Sequence, residues 1–280
     1  RLYDWIAQHP EAEGDFGLKD IPIFVDPNFK FDEKWLNNQF RKDRKIRVHG
    51  SVQYFFYAQK FLEEVSDYIS DGAKFILVLR NPINRALSGL SYGIKINMIE
   101  DKEAERSNRF NFEEESEILS SDKSTFYEKG RLTPIHHGLY SNFLEKFIRK
   151  IPKENLKIFI YEELFSNKED SIKNLYKFLN IDESFTPSFN KINVSGVQRL
   201  NNINKLWKNK FIQKMIKPMM PYRIRQKLTK FINEKNTKPV KLELNDIEKN
   251  YLALIFEKDI VKTEKILGRS LDIWRDGYTH

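Results

Sequence analysis

The chain contains no cysteine, which excludes a disulfide framework and every site built on a thiolate, whether zinc, iron–sulfur or nucleophilic. Glycine and proline are sparse, at 11 and 10 of 280 residues, so the chain is neither collagen-like nor of low complexity. Long hydrophobic runs are missing too. The longest, Phe75 to Leu79 with its neighbours, falls far short of a bilayer span, and no basic-then-apolar leader opens the sequence, so a soluble chain is expected. The composition is instead 40% hydrophobic and 14% aromatic in 33.5 kDa, enough for a packed core and incompatible with disorder. The net charge is +8 and the pI about 9.3.

Leu2, Trp5 and Ile6 share one helical face, and the helix is expected to stop near Pro10. Because the chain starts at Arg1 in what reads as a helix already under way, the natural start is expected upstream. Lys45 to His49 predicts a strand ending at Gly50-Ser51, and Tyr54 to Tyr68 a helix. Lys74 to Leu79 is nearly continuous in apolar residues, the pattern of a parallel strand covered on both faces. Asn97 to Lys129 is acidic and aperiodic and is expected to lie outside the core. Gly138 to Lys150 reads as a helix, Leu156 to Tyr161 as a second buried strand, and Leu244 to Leu267 as a closing helix with Gly268 at its C-cap. Alternating strands and helices predict one α/β domain over residues 1–280, a central parallel sheet with helices on both faces. The basic, mostly helical C-terminal part begins near residue 199. Arg199 to Lys238 holds twelve Lys or Arg against one Glu. Three readings fit that stretch: a groove for an anionic glycan, a peripheral contact with an anionic membrane, or a solvated helical face.

Arg80 follows a predicted strand, and Ser88 stands eight positions later near a helix start. A planar guanidinium, a hydroxyl and free backbone N–H groups at a helix start together suit a phosphate. The segment Lys74 to Ser88, Leu-Arg-Asn-Pro-Ile-Asn-Arg-Ala-Leu-Ser at its end, resembles the 3′-phosphate-binding motif of sulfotransferases that use 3′-phosphoadenosine 5′-phosphosulfate (PAPS). Gln8-His9-Pro10, Lys19-Asp20, His49-Gly50-Ser51-Val52-Gln53-Tyr54, Gly138-Leu139-Tyr140, Tyr161-Glu162-Glu163-Leu164, Lys191 to Gly196 and Leu267 to Trp274 are similar, in order, to further segments of that family. The likeness covers essentially the whole chain and is nearest to the bacterial and Golgi-type carbohydrate enzymes.

The resemblance implies a three-layer fold like that of P-loop nucleotide-binding proteins, whose N-terminal strand and phosphate loop would precede Arg1; without them the chain is expected to be inactive. It implies PAPS as donor, adenosine 3′,5′-bisphosphate as product and no metal. Arg80 and Ser88 would hold the 3′-phosphate, with Lys191, Ser195, Gly196 and Arg199 closing over it and Arg85 supporting the turn. Asp20 or His49 would be the general base, a step for which an imidazole near neutral pH is suited. Lys19, Ser51, Tyr54 and His137 would meet the acceptor, although His136-His137 also reads as a plain surface loop, and Glu162-Glu163 as a helix N-terminal charge pair. The expected partner is a carbohydrate or glycolipid. The expected location is cytoplasmic or membrane-peripheral in a bacterium, or the Golgi lumen in a eukaryote. A basic nucleic-acid- or membrane-binding protein, a phosphoryl-transferring relative and a catalytically degenerate homologue are the alternatives. No nucleic-acid-binding signature appears in the sequence, so no nucleic-acid partner is expected.

Overall fold

The structure is a computed structural model and describes residues 2–15, 20–29, 32–40, 44–96, 98–99, 106–189, 197–198, 237–238 and 242–275. Helix α1 (Leu2–Ile6) leads into strand β1 (Ala12–Gly14), and α2 (Glu33–Asn37) precedes β2 (Ile46–Val48). Three short helices, α3 (Gln53–Phe56), α4 (Ala58–Glu64) and α5 (Ser66–Ser70), lead to β3 (Phe75–Leu79) and α6 (Pro82–Lys95). Then come α7 (Phe112–Ser120), α8 (Phe126–Arg131), a 3₁₀ turn (His136–Gly138), α9 (Ser141–Lys150), β4 (Leu156–Ile160), α10 (Tyr161–Ser166) and α11 (Lys168–Leu179). The two-residue strands β5 (Val197–Gln198) and β6 (Thr237–Lys238) pair antiparallel. Helix α12 (Asp246–Leu267) and a 3₁₀ turn (Asp272–Trp274) close the described chain.

β1 pairs with β2 and β3 with β4, each in parallel, so helical crossovers join the strands as an α/β layer requires. The continuous central sheet expected from the sequence is not seen among the described residues, where the parallel strands form two separate pairs. The pairs share a core: Ile46 and Val48 of β2, Ile76 of β3 and Phe159 of β4 pack on the cluster around Trp5, Leu175 and Tyr176 of α1 and α11. On the opposite face Leu77, Leu79, Ile158 and Ile160 meet Ile83 and Leu90 of α6, Leu144 of α9 and Phe256 of α12. Helices therefore flank β3 and β4 on both sides. Burial of these strands is nonetheless incomplete. Val78 is 40% exposed, and only the carboxyl-terminal residues Leu79 and Ile160 are fully buried. An apolar run states what could be covered; the neighbouring elements decide what is.

The helix expected over Tyr54 to Tyr68 is broken at Tyr57 (φ −94°, ψ 41°) and Val65 (φ −103°, ψ 16°), both outside helical values. The acidic segment expected outside the core contributes to it. Asn111 caps α7 by accepting the Glu113 and Glu114 N–H groups, and Phe110 and Glu115 are interior. Glu115 accepts the N–H groups of Ile135 and His136 at 3.0 Å and the His136 Nδ1 at 2.9 Å, so a carboxylate makes the contact that periodicity seeks in apolar residues. Most of Arg199 to Lys238 lies outside the described residues. Helix α12 begins with a capping box of Asn245 and Glu248 and ends at Gly268 with φ +66°, the left-handed cap its glycine predicts.

Arg109 joins the α7 side to α12 through a buried ion pair. Its guanidinium donates twice to Glu248, both at 2.7 Å, and its own N–H once at 3.0 Å. Burial pushes the Glu248 carboxyl upward, and these bonds together bring it below its usual value. Arg109→Ala leaves a fully buried carboxylate without its cation, so urea unfolding should show a loss of about 3–5 kcal/mol; a loss no larger than that of an exposed pair would contradict this.

Candidate active site

Arg80 leaves the carboxyl end of β3 directly, and its neighbours are tied down on every side. Asn81 caps α6: its side-chain oxygen accepts the Ile83 and Asn84 N–H groups at 3.0 and 3.1 Å. Its side-chain amide donates to the Trp274 carbonyl at 2.7 Å, and its backbone N–H donates to Glu162 at 3.0 Å. The other Glu162 oxygen accepts the Trp274 indole N–H at 3.0 Å. The Tyr140 hydroxyl donates to the Arg80 carbonyl at 2.8 Å, and burial pushes that phenol up to about 12. The Arg80 guanidinium lies 4.9 Å from the centre of the Tyr161 ring, within cation–π range. Its Nε is buried and has no hydrogen-bond partner among the described residues.

This arrangement corrects one expectation. The free backbone N–H groups foreseen at the start of α6 are taken: Pro82 has none, Asn81 gives its own to Glu162, and the Asn81 side chain occupies the next two. Ser88 is not at the helix start either; it sits midway along Pro82–Lys95 on the exposed side. An anion here has to be held by side chains. Arg85, expected to support the turn, is half-buried, and its guanidinium donates to the Pro134 carbonyl at 3.0 Å.

The sequence segments that looked scattered meet at this edge. Gly138 allows the chain to pass where a Cβ would stand 2.7 Å from the Phe256 ring and 3.3 Å from Pro82, which brings Tyr140 beneath Arg80. Glu162 and Glu163 form the acidic first turn of α10, as expected, and Glu163 pairs with Arg269 just past α12.

A second edge carries the two candidate bases. His49 bonds Asp15 through Nδ1 and the Tyr54 hydroxyl through Nε2, and the same Asp15 accepts the Tyr3 hydroxyl at 2.9 Å. The Asp15 side chain is fully buried and that of His49 is 9% exposed. Burial pushes both phenols above their ordinary range, so they remain hydroxyl donors. Asp15 also forms part of the wall of a cleft of about 420 Å³, with Tyr3, Gln8, Glu13 and Arg44. Asp20, by contrast, is exposed and holds φ +67°, a region few residues other than glycine, Asn and Asp adopt. Its N–H donates to the Gly50 carbonyl at 3.0 Å, which places it beside His49. Ser51 stands between them, its hydroxyl accepting the Gln53 N–H at 3.3 Å.

Of the residues expected to meet an acceptor, Ser51 is half-buried at this edge. Tyr54 is buried, with its hydroxyl on His49 and 3.3 Å from the Ile21 carbonyl. His137 is no surface-loop residue: it is 5% exposed, stacked on Phe56 at 3.8 Å, with Nδ1 bonded to the Thr133 carbonyl at 2.8 Å. Lys19, Lys191, Ser195, Gly196 and Arg199 lie outside the described residues, but β5, within that last segment, runs beside α6. Sequence reasoning missed Asp15 and Tyr3, whose only signal was a carboxylate one residue past a short strand. Among the described residues no group of carboxylates and imidazoles is arranged to hold a metal ion, and no helix is long and apolar enough to cross a membrane.

Parallel strands that end in an arginine with a buried, unpaired Nε among the described residues make a strand edge suited to an anion. A family model described as a sulfotransferase domain matches residues 61–239, and the chain belongs to that family. Heparan sulfate glucosamine 3-O-sulfotransferase 5 of Mus musculus is 23% identical over 161 residues, 56% of this chain and 42% of that protein. The chain thus spans less than half the length of this curated relative. The crystal structure of a sulfotransferase from Alicyclobacillus acidocaldarius has the same fold, with a TM-score of 0.58 at 19% identity over 98% of this chain and 92% of that one.

The buried network of the second edge can be tested by mutation. His49→Ala takes the imidazole away from the buried Asp15 carboxylate and should cost about 2–3 kcal/mol in urea unfolding; an unchanged stability would contradict the assignment. Burial also holds the His137 imidazole well below its ordinary 6.5. The unfolded chain takes up a proton there and the folded one does not, so stability is full above that pH and falls below it. Thermal scans across pH should show this acid limb flattened in His137→Phe.

Proposed function

We propose that this protein transfers a sulfuryl group from PAPS to a hydroxyl or amine of a carbohydrate acceptor. The observation that carries the reading is the Arg80 guanidinium: packed on Tyr161, with a buried Nε that finds no acceptor among the described residues. A buried donor left without a partner is costly and marks a place for a ligand acceptor. A phosphate fits it, because its oxygens match the planar fork of donors and its charge offsets that of Arg80.

When bound, the nucleotide supplies the sulfuryl group, and the residues of the chain position and neutralise it. Arg80 and the exposed Ser88 hydroxyl would hold the 3′-phosphate, and Lys191, Ser195, Gly196 and Arg199 would add to it, a reading supported by the course of β5 along α6. Asp20 is the better candidate for the group that receives the acceptor proton. It is exposed to an approaching acceptor, whereas the His49 side chain is 9% exposed. The network of Asp15, His49 and Tyr54 then keeps the Gly50-Ser51 segment, and through it Asp20, in place. The carbohydrate acceptor is supported by the name of the Mus musculus relative, a heparan sulfate enzyme, and by the motif likeness.

The test is to incubate the full-length protein with radiolabelled PAPS and desulfated heparan-type oligosaccharides and to follow label in the glycan. Arg80→Ala should lower kcat/KM by about two orders of magnitude. Label transfer unaffected by Arg80→Ala would refute the assignment, and label on no carbohydrate would refute the acceptor.

A further inference from the structure

The carboxylate of Glu162, half-buried, is engaged by two N–H donors. One oxygen receives the N–H of Asn81, the residue after Arg80, and the other receives the Trp274 indole N–H, both at 3.0 Å. Trp274 closes the loop, because its carbonyl accepts the Asn81 amide at 2.7 Å. Three residues from three distant parts of the sequence thus form a closed hydrogen-bonded circuit. It is interior: Trp274 is fully buried and Asn81 is 4% exposed.

We propose that Glu162 and Trp274 are positioning residues, which set the phosphate-binding geometry of Arg80 by fixing the backbone on its carboxyl side. The inference rests on the nucleotide reading of Arg80 given above. On its amino side the arginine is fixed by Leu79, paired with Ile160 in the ladder and 2% exposed. On its carboxyl side the ladder has ended, and the circuit holds the chain together with the Tyr140 hydroxyl on the Arg80 carbonyl and the Asn81 cap of α6. An arginine on a restrained backbone, with its guanidinium resting on Tyr161, loses little freedom when it engages a planar anion. If Glu162 loses a partner, the turn can relax while the hydrophobic packing of the Trp274 ring against Tyr140 and its neighbours remains. The C-terminal segment therefore takes part in nucleotide recognition without touching the nucleotide.

Trp274→Phe removes one donor and keeps an aromatic ring; Glu162→Gln keeps the shape and replaces an acceptor with a donor. Calorimetry on the full-length protein would compare adenosine 3′,5′-bisphosphate with adenosine 5′-monophosphate, which lacks the 3′-phosphate. We expect each variant to bind the bisphosphate about tenfold more weakly with the monophosphate little changed. In an Arg80→Ala background the same substitutions should have no further effect, since the arginine they position is gone. If Arg80→Ala weakens bisphosphate binding but Trp274→Phe and Glu162→Gln leave it within about twofold, the positioning role is wrong and the nucleotide reading stands. Equal losses for both nucleotides, or losses that add to Arg80→Ala, mean that the circuit is purely structural. If Arg80→Ala itself changes nothing, the nucleotide reading fails first. Should one variant not fold, the other decides.

Discussion

In the parallel ladder between β3 and β4, Leu79 stands opposite Ile160, and the correspondence continues after the backbone pairing stops. Arg80 lies over the Tyr161 ring, and Asn81 bonds Glu162. The strand register thus dictates which side chains meet at the carboxyl edge. Because strand side chains alternate between faces, a slip of one residue would bury Val78 in place of Leu79 and carry Arg80 to the other side. The hydrophobic contacts of Leu79 and Ile160 with α6 and α12 guard against that slip. The same burial that specifies the core therefore specifies the site.

Elements distant in sequence are joined in this cysteine-free chain by buried or half-buried carboxylates. Asp15 receives Tyr3 and His49, Glu115 receives the turn at His136, Glu248 receives Arg109, and Asp259 receives the Ser141 N–H and hydroxyl. Each removes a charge from water, which costs several kcal/mol unless its oxygens are fully bonded. Each is bonded by at least two donors. Such contacts are exacting about geometry, so they add specificity where an apolar contact would tolerate shifts. Glu162, half-buried and bonded by the Asn81 N–H and the Trp274 indole, makes the same kind of contact beside Arg80.

Much of this was legible in the sequence, and for particular reasons. β3 and β4 announce themselves as apolar runs, α12 by its Gly268 cap, and the Arg80 segment by an arginine set between a strand and a proline. The fragments at Gly138, Tyr161 and Leu267 could be matched one by one, but nothing in their spacing said that they close on a single turn. Carboxylate bonding was the main blind spot. Hydrophobic periodicity assigned the Glu115 segment to the exterior because an acidic residue ordinarily faces water. The Asn81 cap escaped notice as well, since an asparagine before a proline fits a helix start without revealing that its side chain takes up the donors an anion would need. Segregation of the described parallel strands into two pairs, and the burial of His137, depend on tertiary neighbours and have no local signature.

The most direct measurement is a crystal structure of the full-length protein with adenosine 3′,5′-bisphosphate. The account predicts the 3′-phosphate within hydrogen-bond distance of the Arg80 guanidinium and the Ser88 hydroxyl, at the carboxyl end of β3. A nucleotide bound elsewhere, with the Arg80 Nε still unsatisfied, would contradict it.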